Sequence, residues 1–318
     1  MKALVWYGER SIDFEEIAAP EPGPGEVIVD VELAGICGSD LHGYRGHPGP
    51  RVPPLVLGHE VVVRHNGGRY AIYPIIGCGT CVHCLAGDDN LCGAWKLIGL
   101  HRAGVFAEQV ATPEKCLIPL PDGIDARRAV LAEPLACCVG AIGPENLGPG
   151  SNVLVFGCGP IGLLTVYAAA RKGAHVTAID PVAARLELAK TLGAAAVEVD
   201  ASRLPQAHAN VAIDAAGFEA TWRSAIDAVE NGGSIVMVGL GNAEATFPMA
   251  LLVRRSIRLR GQFAYSRAEF QEAIDILAAG DLDLGWLDDA PLSAGAEAFA
   301  NLVDRPAEFS KILLDPAS

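Results

Sequence analysis

Two hydrophobic patterns divide the chain, and the first is that of β-strands. Residues 2–7 and 26–34 have strand composition, and in the second stretch alternate positions carry Val or Leu, while the set between them includes Asp30 and Glu32. This period of two predicts a half-buried antiparallel sheet. No long helix is evident before about residue 125, so we expect the first third of the chain to be mostly strands and irregular loops.

From residue 151 the pattern changes to apolar strands alternating with helices. The strand at 151–156 is followed by a glycine-rich turn, a helix and a second strand, and the alternation continues to a last strand at 256–263. Sequential units of this kind predict an α/β domain with a parallel sheet covered on both faces. Residues 280–318 resume the shorter mixed pattern, so we expect the chain to return to the first domain.

Composition and charge exclude several classes of function. The 318 residues are 51% hydrophobic and 19% charged, which is typical of a folded protein of about two domains. The formal net charge of −14 argues against nucleic acid or an anionic membrane as a partner. The N-terminus has no signal-peptide pattern, and no run of 18 apolar residues occurs, so we expect a soluble cytoplasmic protein.

The glycine-rich turn carries a phosphate-binding pattern. Gly157, Gly159 and Gly162 follow an apolar strand directly and open a helix, and Asp180 ends the next strand. Glycines let the backbone approach a pyrophosphate at the helix N-terminus, and the acid can accept hydrogen bonds from the adenosine ribose. The same carboxylate would repel a 2′-phosphate, which favours NAD over NADP. The alternative is a βαβ unit that binds no nucleotide.

Nine cysteines are an odd number for a secreted disulfide scaffold, and four of them are clustered. Residues 77–92 have the spacing C-x2-C-x2-C-x7-C, with cysteines at Cys78, Cys81, Cys84 and Cys92. Four thiolates in a short glycine-rich loop can wrap one tetrahedral Zn²⁺ and leave no position for substrate, which predicts a structural site. An iron–sulfur cluster and a fortuitous grouping are the alternatives.

A second donor set occurs in residues 35–60, which also contain a loop at residues 48–54. Cys37, His59 and Glu60 offer sulfur, nitrogen and oxygen, and three protein ligands with a vacant fourth position form a catalytic zinc site. Ser39 and His42 can pass a proton to solvent. Taken alone, Cys37, His42 or His59 is better explained as an ordinary buried or hydrogen-bonded side chain.

The ordered motifs GICGSDLH, GHE, the four-cysteine lobe, EPLA and GCGPIG resemble the zinc-dependent medium-chain alcohol dehydrogenase family, and within it the sorbitol, butanediol and threonine dehydrogenase branch. The resemblance covers nearly the whole chain. It implies a GroES-like β-rich catalytic domain formed by residues 1–133 and 267–318. It also implies an NAD-binding Rossmann domain, a doubly wound parallel sheet, from residues 134–266.

The resemblance also implies roles for individual residues. Glu133 joins the catalytic zinc ligands, either directly or through water, although a carboxylate at the start of a helix could simply favour the helix dipole. Ser39 and His42 match the proton relay. We expect two Zn²⁺ ions per chain, NAD, an alcohol substrate and a homodimer or homotetramer. The cofactor-binding positions are Gly157, Gly159, Pro160, Ile161, Gly162, Asp180, Arg185, Gly239, Phe263 and Tyr265.

The implied reaction is hydride transfer from a secondary alcohol, vicinal diol or short polyol to NAD. Two departures from the family pattern occur: the segment around Asn66, Gly67 and Gly68 is compressed, and Ala264 stands where sorbitol dehydrogenases place arginine. The second departure predicts that vicinal diols or small secondary alcohols are better substrates than sorbitol, with short polyols such as xylitol as the alternative. The alternatives are a reductase of the same fold acting on another carbonyl compound and a non-catalytic zinc- and NAD-binding redox sensor.

Overall fold

A computed structural model describes residues 1–47 and 49–318. The chain forms two compact units, of which one comprises Met1–Pro134 with Ser266–Ser318 and the other comprises Leu135–Tyr265. These boundaries lie one residue from those expected from the sequence. Pro48, the first residue of the loop expected at 48–54, lies outside the described residues.

The N-terminal segment is built mainly from strands. They are β1 (Lys2–Gly8), β2 (Ser11–Glu16), β3 (Glu26–Gly35), β4 (Leu55–Val56), β5 (Glu60–His65), β6 (Gly68–Ile72), β7 (Ile75–Ile76), β8 (Lys96–Leu97), β9 (Gln109–Pro113) and β10 (Leu117–Pro119). The helices are α1 (Gly38–Tyr44), α2 (Val82–Ala86), α3 (Ala126–Ala129) and α4 (Ala132–Ile142). In β3, Val29 and Val31 are buried and Asp30 is exposed, as the period of two predicts.

The second unit is a parallel sheet with helical crossovers. Its strands are β11 (Asn152–Phe156), β12 (His175–Ile179), β13 (Ala196–Glu198), β14 (Ala209–Asp214), β15 (Val229–Met237) and β16 (Arg258–Gly261), and its further helices are α5 (Pro160–Arg171), α6 (Ala183–Thr191), α7 (Glu219–Ala228) and α8 (Met249–Arg255). The strand order is β13-β12-β11-β14-β15-β16, and every pair is parallel. The order reverses beside β11, so the carboxyl ends of β11 and β14 form the crevice in which doubly wound sheets bind ligands.

The C-terminal segment rejoins the first unit through α9 (Arg267–Ala278), β17 (Leu287–Pro291), α10 (Gly295–Asp304) and β18 (Lys311–Asp315). Strand β18 pairs antiparallel with β3, within the order β10-β6-β5-β3-β18-β17, and β9 also pairs with β3. In contrast, β1 lies in a separate sheet with β2 and β4. The sequence did not indicate this separation, because strand composition predicts a strand but not its partners. Across residues 1–47 and 49–318, we find no helix with the length and apolar character needed to cross a membrane.

Candidate functional site

The four cysteines of residues 77–92 converge on one point. Their Sγ atoms all lie within 4.8 Å of one another, and Cys84 Sγ is 3.5 Å from Cys81 Sγ and 3.9 Å from Cys78 Sγ. Sulfur atoms around one tetrahedral zinc ion with Zn–S bonds of about 2.3 Å are about 3.8 Å apart, so the four thiols fit such an ion. No other group of three or more Cys, His, Asp and Glu ligand atoms meets this distance in the described part of the chain.

The loop also donates hydrogen bonds to two of these sulfur atoms, those of Cys92 and Cys78. The N–H groups of Cys78 and Ala94 donate to Cys92 Sγ, each over 3.4 Å. Hydrogen bonds from the backbone and hydroxyl of Thr80 lower the pKa of the exposed Cys78 thiol to about 6. A thiol with this pKa is largely deprotonated at neutral pH, which is the form that binds a metal ion.

His59 immediately precedes β5, and its imidazole is buried. Its Nε2 atom lies 3.4 Å from Ser39 Oγ, and its Nδ1 atom lies 3.7 Å from Oδ1 of Asp40. Burial lowers the pKa of this imidazole, but the negative charge of Asp40, the hydrogen-bonded thiol of Cys37 and the charge of Glu133 raise it to about 10. These surroundings stabilise a cation. The thiol of Cys37, the imidazole of His59 and the carboxylate of Glu133 are groups of the kinds that bind Zn²⁺. The ligand atoms lie farther apart than the four sulfurs of the lobe.

Helix α1 carries the proposed proton-relay residues. Ser39 lies in its first turn, and His42 lies three residues later, so both belong to neighbouring positions on the helix surface. Burial, together with the charges of Arg45, His47 and Arg51, lowers the pKa of His42 below its usual value. His42 is therefore neutral at pH 7 and can accept a proton.

Glu60, which the sequence predicts as a zinc ligand, has a partner within the protein. Its Oε2 atom forms an ion pair with Nζ of Lys311, and both side chains are buried. Nζ of Lys311 also donates to the carbonyl oxygen of Ile36 over 3.1 Å. Oε2 of Glu60 already compensates the buried lysine charge, so Oε1 is the atom of this carboxylate that could still reach a metal ion. Glu133, whose charge acts on His59, is the better candidate for the carboxylate ligand.

The predicted nucleotide site forms a cavity of about 460 Å³ at the carboxyl ends of β11, β12 and β14. Gly157, Gly159, Asp180 and Arg185 line it. Gly157 has a φ of 87°, and a side chain at Gly162 would collide with the carbonyl oxygen of Gly157, so the turn requires glycine at both positions.

The other predicted cofactor residues lie around this turn or outside the cavity. Pro160 and Ile161 form the first turn of α5, for which Gly159 is the N-cap. The described residues that line the cavity do not include Gly239, Phe263 or Tyr265. Of these, the side chain of Tyr265 is fully buried and that of Phe263 is exposed.

Asp180 is held rigidly at the edge of the cavity. Its Oδ2 atom accepts a hydrogen bond from the N–H of Cys158, and its Oδ1 atom accepts one from the N–H of Val182, each over 2.8 Å. An N–H of the Arg185 guanidinium lies 3.7 Å from Oδ2. The carboxylate is therefore held in one orientation at the edge of the cavity.

Comparisons with known proteins identify the family. Residues 23–122 match the family model described as alcohol dehydrogenase GroES-like domain, and residues 160–279 match that described as zinc-binding dehydrogenase. The chain belongs to the zinc-dependent medium-chain alcohol dehydrogenase family. The predicted fold class, a GroES-like domain with a Rossmann domain, is thereby confirmed. This dehydrogenase is an oxidoreductase, and its family supports zinc and a nicotinamide cofactor.

Relatives of this dehydrogenase come from bacteria and fungi. A probable D-xylulose reductase A from Aspergillus terreus is 33% identical over 312 residues, covering 89% of this chain and 88% of the relative. The structure of an Escherichia coli CFT073 alcohol dehydrogenase, rspB, complexed with NADH superimposes with a TM-score of 0.90 at 27% identity, covering 99% of each chain. That of 2R,3R-butanediol dehydrogenase from Bacillus subtilis gives a TM-score of 0.89 at 27% identity, again over 99% of each chain.

Sequence reasoning missed one residue at the candidate zinc site of this dehydrogenase. Asp40 is fully buried, accepts hydrogen bonds from the N–H groups of Cys37 (3.1 Å) and Gly58 (3.3 Å), and faces His59 Nδ1. The guanidinium of Arg51 lies 3.8 Å from its Oδ1 atom. The available signal was an acid three residues after the thiol, at the start of a helix.

A second missed feature is the apolar wall of the nucleotide cavity. Phe218 is 50% exposed and Val199 is 46% exposed, and both line the cavity together with Pro181. Exposed apolar side chains in a cavity suit a flat aromatic ring such as adenine. Phe218 lies four residues after the end of β14. Its position just beyond a predicted strand was the only feature of the sequence that pointed to the cavity.

Proposed function

We propose that this dehydrogenase oxidises a vicinal diol, short polyol or small secondary alcohol with NAD, using a zinc site formed by Cys37, His59 and Glu133. A second zinc ion would be held by the four-cysteine lobe. The observation that carries the proposal is the setting of His59, which is buried with Asp40 on one ring nitrogen and Ser39 and the Cys37 thiol around the imidazole. This is the arrangement of a metal-ligating histidine oriented by a carboxylate.

When bound, zinc supplies Lewis acidity toward an alcohol oxygen, and NAD supplies the hydride acceptor. The protein's own contribution is to hold the donors. Asp40 lies on the Nδ1 side of His59 and so favours the tautomer whose Nε2 lone pair is free to bind a metal ion. The ion pair between Glu60 and Lys311 anchors the residue that follows His59 in the chain.

Ser39 and His42 provide a path for the proton that alcohol oxidation releases. Ser39 Oγ lies beside the imidazole of His59, so a hydroxyl is present next to the proposed metal site. His42 is exposed and has a lowered pKa, so it is the neutral acceptor from which a proton can pass to solvent.

The orientation of Asp180 supports NAD as the preferred nicotinamide cofactor. We expect Asp180→Gly to weaken NAD binding and to raise the ratio of kcat/KM for NADP to that for NAD by about 10- to 100-fold, because a charge-assisted contact contributes about 1.5–3 kcal/mol. Removal of the carboxylate also ends its repulsion of a 2′-phosphate, and the nearby guanidinium of Arg185 can attract that phosphate. Initial rates with both cofactors measure the ratio. Equal kcat/KM values for the two cofactors in the parent protein would overturn this assignment.

Substrate preference follows from the absence of a fixed cation at position 264. Ala264 offers no anchor for a long polyhydroxylated chain, and each buried hydroxyl without a partner costs about 1–3 kcal/mol. The names of the xylulose reductase and butanediol dehydrogenase relatives are in keeping with a short diol or polyol. We therefore expect kcat/KM for butane-2,3-diol or xylitol to exceed that for sorbitol by about tenfold or more.

The test is NADH formation on a panel of butane-2,3-diol, xylitol, sorbitol and propan-2-ol, using protein of known zinc content. Sorbitol as the best substrate by tenfold would show that Ala264 does not limit chain length. No oxidation of any alcohol by the zinc-loaded protein, combined with intact NADH binding, would favour the non-catalytic sensor.

A further inference from the structure

A carboxylate lies beside one sulfur atom of the four-cysteine lobe, that of Cys84. Asp89 is buried, and a Cβ atom built on Gly77 would collide with both its Oδ1 atom and Cys84 Sγ, so these two atoms border the same small space. Residues 77–92 contain Asp88 and Asp89 but no Lys or Arg. The lobe therefore has no lysine or arginine of its own to balance the buried carboxylate.

Arg267, which belongs to the C-terminal segment of the first unit, supplies that cation. Its Nε atom donates to Oδ2 of Asp89 over 2.8 Å, although the two residues are 178 positions apart. Its backbone N–H donates to the carbonyl of Gly87 over 3.1 Å, and a guanidinium N–H donates to that of Lys115 over 3.0 Å. The guanidinium also lies 4.4 Å from the centre of the Tyr73 ring. The first residue of α9 is thus attached to the lobe by both its backbone and its side chain.

The charges explain why this contact matters for a metal ion. Four thiolates around one Zn²⁺ carry a net charge of about −2. A buried carboxylate beside them adds to the negative charge, and an uncompensated buried charge is strongly unfavourable. The ion pair with Arg267 neutralises the charge of Asp89, and all four sulfur atoms remain available to the metal ion.

We propose that Arg267 is a positioning residue for the metal site of the lobe. By neutralising Asp89, which lies beside Cys84, it compensates the negative charge next to the metal site and slows release of the metal ion. The inference rests on the proposed structural zinc, and it adds to that proposal the residue from the C-terminal segment on which retention of the metal depends.

The test is the rate at which zinc-loaded protein transfers zinc to an excess of a chelating dye at 25 °C. We expect Arg267→Met to release one of its two zinc ions about 10- to 100-fold faster than the parent, the range typical for loss of a residue that supports a metal ligand. Arg267→Lys should release it at an intermediate rate, because lysine keeps the charge but loses the planar fork and the stacking on Tyr73. This conservative variant preserves the test if Arg267→Met folds poorly.

The double variant Asp89→Asn/Arg267→Met separates charge from packing. Removing both charges leaves no unpaired carboxylate, so the release rate should return to within about threefold of the parent rate. Arg223→Met is the matched control, because Arg223 forms an exposed ion pair with Glu219 in the second unit. Its zinc release should equal that of the parent.

Parental release rates in both Arg267→Met and Arg267→Lys would overturn the proposal. So would a double variant that releases zinc as fast as Arg267→Met, because the arginine would then act through packing alone. The zinc content of Cys81→Ser tests the structural zinc separately. If this variant contains as much zinc as the parent, the proposed structural zinc is wrong. In that case the lobe holds no metal, and the inference falls with it.

Discussion

Replacing Cys37 with alanine should lower kcat for alcohol oxidation by about a thousandfold or more while leaving the fold intact. The thiol is one of three proposed zinc ligands, and a Lewis-acidic metal ion contributes several kcal/mol to such a reaction, with about 1.4 kcal/mol for each factor of ten. The backbone N–H of Cys37 still donates to Asp40 in the variant, so the start of α1 should persist. NADH absorbance in steady state measures the loss.

Cys137→Ala is the matched control for Cys37→Ala. Cys137 is a half-buried cysteine on α4 and belongs to neither proposed zinc site, so this variant should retain parental turnover. Sustained NADH formation by a zinc-depleted Cys37→Ala protein would show that the reaction does not need a metal ion at this position.

The second large effect concerns stability. Lys311→Met should lower the free energy of unfolding by about 3–5 kcal/mol, because it leaves the buried carboxylate of Glu60 without its cation. Nζ of Lys311 also satisfies the carbonyl of Ile36, so a second buried group loses its partner. Denaturant unfolding of the zinc-loaded protein, followed by two independent probes, measures the change.

A double variant tests whether charge is the cause of this loss. Glu60→Gln/Lys311→Met removes both charges, and replacing a whole buried ion pair is often close to neutral, so it should recover most of the lost stability. If Lys311→Met alone unfolds within about 1 kcal/mol of the parent, the pairing of Glu60 with Lys311 is not what holds that carboxylate.

Features encoded over short stretches of the chain were predictable from the sequence. The four lobe cysteines lie within fifteen residues, so their convergence depends only on a local loop, and their Sγ atoms do meet. The glycine turn is equally local, since the positive φ of Gly157 and the close approach of Gly162 are properties of the motif itself. The change from strand patterning to alternating strands and helices likewise predicted the parallel sheet.

Features that depend on partners distant in the sequence were not predictable. Glu60 meets Lys311 across 251 residues, and nothing near either residue signals the pair. Asp40 acquires its role from Arg51, Gly58 and His59, which reach it only after α1 and the loop before β5 have packed. Hydrophobic periodicity states which face of an element is buried, but it does not state which element covers that face.

The most direct test of the central claim is zinc analysis and NADH formation on the same samples of the parent and Cys37→Ala. We expect two zinc ions per chain in the active parent and one in the inactive variant, with the remaining ion held by the four-cysteine lobe. Two zinc ions in Cys37→Ala, or parental turnover by a protein that carries only the lobe zinc, would contradict a catalytic zinc at Cys37, His59 and Glu133.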